Sequence, residues 1–126
     1  MARLAEQERA KFAHEQVQVH SDRKEAGNYR QLVIGLPAMI QQCGLGQTMA
    51  FLASKGKSGH HAMALHDVEK WLERFDYAKG KDGVLKALMD GDSRSYRMAT
   101  SEALAYLQWL KRFAEAAIER PKREEG

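Results

Sequence analysis

One cysteine, two prolines and few β-branched residues stand in a chain of 126. The lone Cys43 excludes an internal disulfide, and a reducing, cytoplasmic setting fits it. It follows Met39 and Ile40 on an apolar face, so a buried structural thiol is expected. With prolines only at Pro37 and Pro121, nearly all of the chain is free to be helical. No apolar run approaches the roughly 20 residues a membrane-spanning helix needs. The N-terminus, MARLAEQERAKFAHE, is charged from its third residue and lacks an apolar h-region, so no signal peptide is expected. Acidic residues are missing altogether from Ala26 to His66.

What is present is helix-forming: Ala, Leu, Lys, Glu, Arg, Gln and Met dominate. The expected fold class is all-α, a single compact domain over 1–126 with five to six helices, the first and last of them long. About 120–126, ending in PKREEG, reads as a frayed tail. A hydrophobic content of 44% is enough for one real core without disulfides or metal. The net charge is +3, a mild lean toward polyanions. It is unevenly spread. Residues 1–60 carry eight Lys/Arg against five Asp/Glu, and residues 61–126 carry twelve of each. The acid-free stretch holds Arg30, Lys55 and Lys57 with His60, His61 and His66. Beside a phosphate it costs no like-charge repulsion; equally, helices that are mostly core need few charges.

Apolar periodicity places the helices. The first spans about Arg3 to Lys24, with a thin stripe of Leu4, Ala5, Phe12, Ala13 and Val17 that suits a surface position. The second starts near Asn28, and Tyr29, Leu32, Val33, Leu36, Met39, Ile40 and Cys43 fall at steps of three and four. Pro37 predicts a kink or break near Gly35–Leu36, and Gly44 suits a left-handed cap. A short third helix, about Gln47 to Ser54, points Leu45, Met49 and Leu52 inward, followed by the loop KGKSGH. The fourth runs from about His61 to Asp76 with Ala64, Leu65, Val68, Trp71, Leu72 and Phe75 inside. A loop over Tyr77 to Lys81 precedes a fifth helix, about Gly83 to Met89, capped by Asp82. Asp90-Gly91-Asp92-Ser93 reads as a turn and an N-cap for the last helix, which reaches about Glu119. Its stripe is Tyr96, Ala99, Ala103, Leu107, Leu110, Ala114 and Ala117, with Tyr106, Phe113 and Ile118 beside it.

No motif carries catalysis. Counted from Asp90, a calcium loop would need ligands at Arg94 and Ser101, so that reading fails. His61 and His66 are five apart and off one helix face, His60 and His61 point apart, and no HExxH accompanies them, so no metal is expected. GLGQT lacks the Gly-Lys-Ser/Thr ending of a phosphate loop. As the start of a helix it could still offer free N–H groups to an anion, with Gln47 and Lys55 nearby. On the last helix Arg97 and Gln108 share a face, with Lys111 and Arg112 astride it and Glu115 diluting its charge. Such a line is a phosphate-binding stripe or simply a solvated face. Trp71, Tyr106 and Trp109 read as core or interface anchors. No enzyme, cofactor or small-molecule substrate is expected.

The ordered set Leu36-Pro37-x-x-Ile40, Gly44-Leu45-Gly46-Gln47, Ala50-Phe51-Leu52, Ser54-Lys55, Trp71-Leu72, Tyr96-Arg97-x-x-Thr100, Glu102-Ala103-Leu104, Leu107 and Trp109-Leu110-Lys111-Arg112-Phe113-Ala114 resembles a known family. So does the first helix, with Phe12-Ala13 and Val17. That family is the small subunit of the CRISPR type III-B effector, the Cmr complex or RAMP module, and the resemblance covers nearly the whole chain. It implies a non-enzymatic, all-α subunit of antiviral defence. Copies of it would stack as an inner filament beside the other Cmr-complex subunits, along crRNA and target RNA. Binding would then be electrostatic, with sequence read by guide pairing. The residues nominated for RNA are Arg30, Lys55, Lys57, Arg97, Lys111 and Arg112, of which the resemblance covers Lys55, Arg97, Lys111 and Arg112. Some of these could instead meet a neighbouring subunit's acids, such as those near Asp67 to Glu73. A helical adaptor that contacts only protein is the alternative.

Overall fold

The longest helix, α6 (Ser93–Ala117), is the spine of the computed structural model, which describes residues 2–121 and the side chains of 5–121. Ala99, Ala103, Leu107, Leu110 and Ala114 are buried along it, at steps of three and four. Three of the five are alanines, so neighbouring helices come close. Asp92 caps its start, Oδ1 accepting from the Ser95 N–H at 2.8 Å.

Two helices lie along the spine. α1 (Ala2–His20) runs in the same direction, as the ascending pairs Arg9–Glu102, Phe12–Tyr106 and His14–Phe113 show. α2 (Ala26–Cys43) runs against it: Gly27 meets Pro121 at one end and Gly44 meets Tyr96 at the other. α4 (His60–Leu72) packs against both and runs against α1, as the pairs His20–Asp67 and Phe12–Trp71 show, while α3 (Leu45–Ser54) and α5 (Val84–Asp90) close the end near the start of α6. All described elements are helical, and the buried side chains form one core.

The departures from the sequence reading have physical causes. α1 is not a surface helix, because Ala13, Val17 and His20 are buried and Phe12 packs beside them. Its seam is narrow and partly polar, which is why the apolar count looked thin. It stops at His20, where Arg23 N–H bonds the His20 carbonyl. α2 begins at Ala26, and Gly27 belongs to its first turn. A Cβ there would lie 3.0 Å from the Pro121 backbone, so glycine lets the chain after α6 approach. No break occurs at Pro37: α2 is continuous through it, with Leu36, Pro37 and Ile40 all buried. Burial of that face outweighs one lost backbone hydrogen bond. Cys43 is exposed, not buried. The helix ends there, and Leu45, across the turn, takes the core position.

Gly44 alone separates α2 from α3. Its φ is +89° as the cap required, but ψ is 159°, extended and not helical. Its N–H bonds the Ile40 carbonyl and its own carbonyl accepts from Thr48 N–H, so one residue closes one helix and opens the next. Farther on, α4 stops at Leu72, short of the expected Asp76, and a 3-10 turn, Asp76–Ala78, spans the end of the expected helix and the start of the expected loop. Asp82 does not cap α5; Gly83 precedes it without a side-chain cap. α6 ends at Ala117, which is exposed, and Ile118 turns inward in its place.

Candidate nucleic-acid interface

Beneath the surface two carboxylates tie the helices together. Asp67 on α4 is fully buried. Its Oδ2 accepts from the Tyr29 hydroxyl of α2, and its Oδ1 meets His20 Nε2 of α1 at 3.0 Å. The His20 and Tyr29 rings pack at 4.6 Å. Burial, and then the Asp67 charge, push the Tyr29 hydroxyl far above its ordinary pKa, and the same two causes raise the Tyr106 hydroxyl. Both phenols are therefore held neutral. Asp67 is thus withdrawn from any acidic surface that a neighbouring subunit could meet.

The second carboxylate, Glu102 on α6, sits nearer the rim. It takes both Arg9 nitrogens, at 2.6 and 2.9 Å, and the Trp71 indole N–H at 3.0 Å. Burial opposes its charge, but the Arg9 and Trp71 hydrogen bonds outweigh burial and hold it below the usual carboxylate range. Trp71 stacks on Tyr106 at 5.3 Å, Phe12 packs against both, and the Arg74 guanidinium lies 4.5 Å from the Trp71 ring. These aromatic residues are anchors of the core. Trp109, half-buried, stacks on Phe113 at the outer edge of α6.

The six nominated cations do not converge. Arg30 is buried at 9% exposure, with one guanidinium nitrogen on Gln31 Oε1 at 2.7 Å. Lys55 is exposed at the end of α3, its ammonium 5.1 Å from the Phe51 ring. Lys57, also exposed, edges a groove of about 440 Å³ between the end of α1 and the start of α4, shared with Arg23, Glu25 and His66. Arg97 is exposed on the first half of α6. Lys111 is half-buried, and Arg112 is exposed but paired with Glu115 at 3.2 Å. The distance along α6 from Arg97 to Lys111 is about 21 Å at 1.5 Å per residue.

The helix-start anion reading of GLGQT meets an internal competitor. The Gly46 N–H donates to the Tyr96 hydroxyl at 2.7 Å, and Thr48 N–H is engaged by Gly44. His60 and His61 do not point apart: their rings lie 4.2 Å from each other at the start of α4, and His60 approaches Glu25 at 3.3 Å. Burial and the neighbouring His60 and Lys55 lower the His61 pKa from its ordinary value. No group of three or more metal-ligating side chains occurs among the described residues, and no described helix is long and apolar enough to cross a membrane.

Sequence reasoning missed Asp67 and Glu102 as buried anchors. A signal for Asp67 was present: with Ala64 and Trp71 it falls at steps of three and four on the inner stripe of α4. It also missed a second groove, of about 780 Å³, where the 3-10 turn faces α6 and where Arg97 is joined by Arg94 and Tyr77.

Fold and surface define a small helical protein whose exposed features are dispersed cations and aromatic edges over a tightly tied core. The chain belongs to the CRISPR-associated Cmr5 family, whose model matches residues 5–117. It is 34% identical over 110 residues to the CRISPR system Cmr subunit Cmr5 of Thermus thermophilus, covering 87% of this chain and 92% of that one. It is also 34% identical over 115 residues to Cmr5 of Thermotoga maritima, covering 88% and 82%. A crystal structure of a Cmr5-family protein from Thermus thermophilus superposes with a TM-score of 0.78 at 30% identity, over 91% of this chain and 98% of that one. The resemblance drawn from the ordered sequence motifs, and the all-α fold it implied, both hold.

Proposed function

We propose that this Cmr5-family chain is the small, non-catalytic subunit of a crRNA-guided Cmr complex in the cytoplasm. Copies of it stack as an inner filament and hold the RNA by its backbone. The observation that carries this reading is the agreement, in sequence and in fold over nearly the whole chain, with proteins named as Cmr subunit Cmr5. Surface charge of both signs suits a protein that stacks on itself. Few phosphate contacts per copy suffice, because repeated copies multiply them. Lys55, Lys57, Arg97 and Arg112 are exposed and Lys111 half-exposed, so these five supply the contacts, while Arg30 is the nominee least available to a phosphate.

The test is co-purification from the native host through a tag on this chain, followed by mass spectrometry and RNA sequencing. The expected result is recovery of other Cmr subunits with CRISPR-derived guide RNAs. Unrelated partners and no guide RNA would overturn it. The dispersal of the cations and the Arg112–Glu115 pair favour a second reading, a helical adaptor touching only protein. Cmr subunits recovered with RNA that never crosslinks to this chain would select it.

A further inference from the structure

We propose that one RNA strand lies in the groove between the 3-10 turn and the first half of α6, with its phosphates on Arg94 and Arg97 and a base against Tyr77. This rests on the RNA-holding reading above and names the face that does the holding.

The charge of the groove suits a phosphate backbone. The groove is edged by Arg9, Tyr77, Arg94, Arg97, Met98 and Glu102. Arg9 and Glu102 neutralise each other through their two-point pair. Arg94 and Arg97 are exposed, and neither has an ion-pair partner among the described residues. The Asp92 carboxylate, held low by its Ser95 hydrogen bond and then by both arginines, forms no ion pair with either, so two guanidiniums remain at the groove. Three residues apart on a helix, they sit about 5–6 Å from each other at Cβ, so one strand can reach both. The Lys57 groove differs, since Glu25 shares it, and Arg112 already has Glu115.

The groove also has an aromatic edge. Phe75 also lines the groove, and its ring lies nearly parallel to Tyr77, at 5.3 Å and 13°. Phe75 in turn meets Trp71 of the core edge-on at 5.9 Å. The fully buried Ala78 pins the turn that carries Tyr77. The result is a rigid, half-exposed ring backed by two others, beside unpaired arginines and the 45%-exposed Met98. Cations along a groove with an aromatic platform for stacking suit single-stranded nucleic acid and read no sequence. An acidic peptide would match the arginines but make no use of a stacked platform.

The test uses the complex assembled with wild-type or variant chain and a target RNA carrying photoreactive uridines. Crosslinks at Tyr77 or Met98 of the wild-type chain are expected. R94A/R97A is expected to lower target affinity about tenfold or more and to flatten its salt dependence. Tyr77→Leu is expected to lower affinity about tenfold, with Tyr77→Phe near wild type. If K55A/K57A or K111A/R112A lowers affinity and R94A/R97A does not, this groove is wrong while the RNA-holding reading stands. Crosslinks confined to other faces of this chain would likewise overturn the groove and leave that reading intact. If R94A/R97A folds but no longer joins the complex, the groove is a protein contact and the inference is overturned. A complex that binds target with no crosslink anywhere on this chain overturns both.

Discussion

Asp67 and Glu102 perform one task at two depths. Each ties three helices together: Asp67 joins α1, α2 and α4, and Glu102 joins α1, α4 and α6. Asp67 is wholly inside and is met by a phenol and an imidazole. Glu102 keeps 14% of its side chain in contact with solvent and is met by a guanidinium and an indole. The difference shows what depth demands. At the rim the Arg9 and Trp71 hydrogen bonds hold the carboxylate ionised against partial burial, and water relieves part of the loss if a partner goes. In the centre, a carboxylate without its hydrogen-bond partners has nothing to fall back on.

The contrast is broken most severely at the inner site. Asp67→Ala leaves the Tyr29 hydroxyl and His20 Nε2 without their acceptor, and should cost about 3 kcal/mol in urea unfolding. Asp67→Asn, which keeps an acceptor, should lose clearly less. At the rim, Glu102→Ala should cost about 1–2 kcal/mol, because Arg9 can turn to water. Equal losses at the two positions would show that depth does not set the difference.

The pH dependence sharpens the same comparison. Glu102 has its pKa depressed in the folded state. Its contribution is therefore fully present above the unfolded carboxylate value of about 4.3, and is lost as pH falls through the lower, folded value. Urea melts of the wild type should show this loss on acidification, and Glu102→Gln should flatten it. Parallel curves would remove Glu102 from the acid limb. A change away from both carboxylates comes next: Gly44→Ala forces a β-carbon onto φ +89°, and should cost about 1 kcal/mol. The smallest expected effect is Asp92→Ala, which removes one capping hydrogen bond at an exposed helix start and should lower the melting temperature only slightly.

The sequence made some of this legible. α2 and α6 show their inner faces as runs at steps of three and four, and the Asp92 cap stands directly before the second of them. α1 was misjudged because its buried face depends on Ala13, which was counted but is small, and on His20, which is polar and does not register in an apolar count. Pro37 misled for the opposite reason, since a local rule about one residue cannot weigh the burial of its neighbours. The surface was the least legible part. Arg97 was found because it lies on a helix face, but Tyr77 comes to it only because α5 turns the chain back between them. Periodicity has no access to that meeting.

The single residue between α2 and α3 has a consequence for the lengths this fold tolerates. Since Gly44 is both the last bond of one helix and the first of the next, no spare chain exists there to absorb an added residue. One insertion would turn α3 by about 100°. Leu45, Met49 and Leu52 would swing out of the core together, and Gly46 would leave the Tyr96 hydroxyl. The exposed segment from Lys55 to Ser58 carries no such double duty, so length variation in this molecule belongs there and not at the α2–α3 corner.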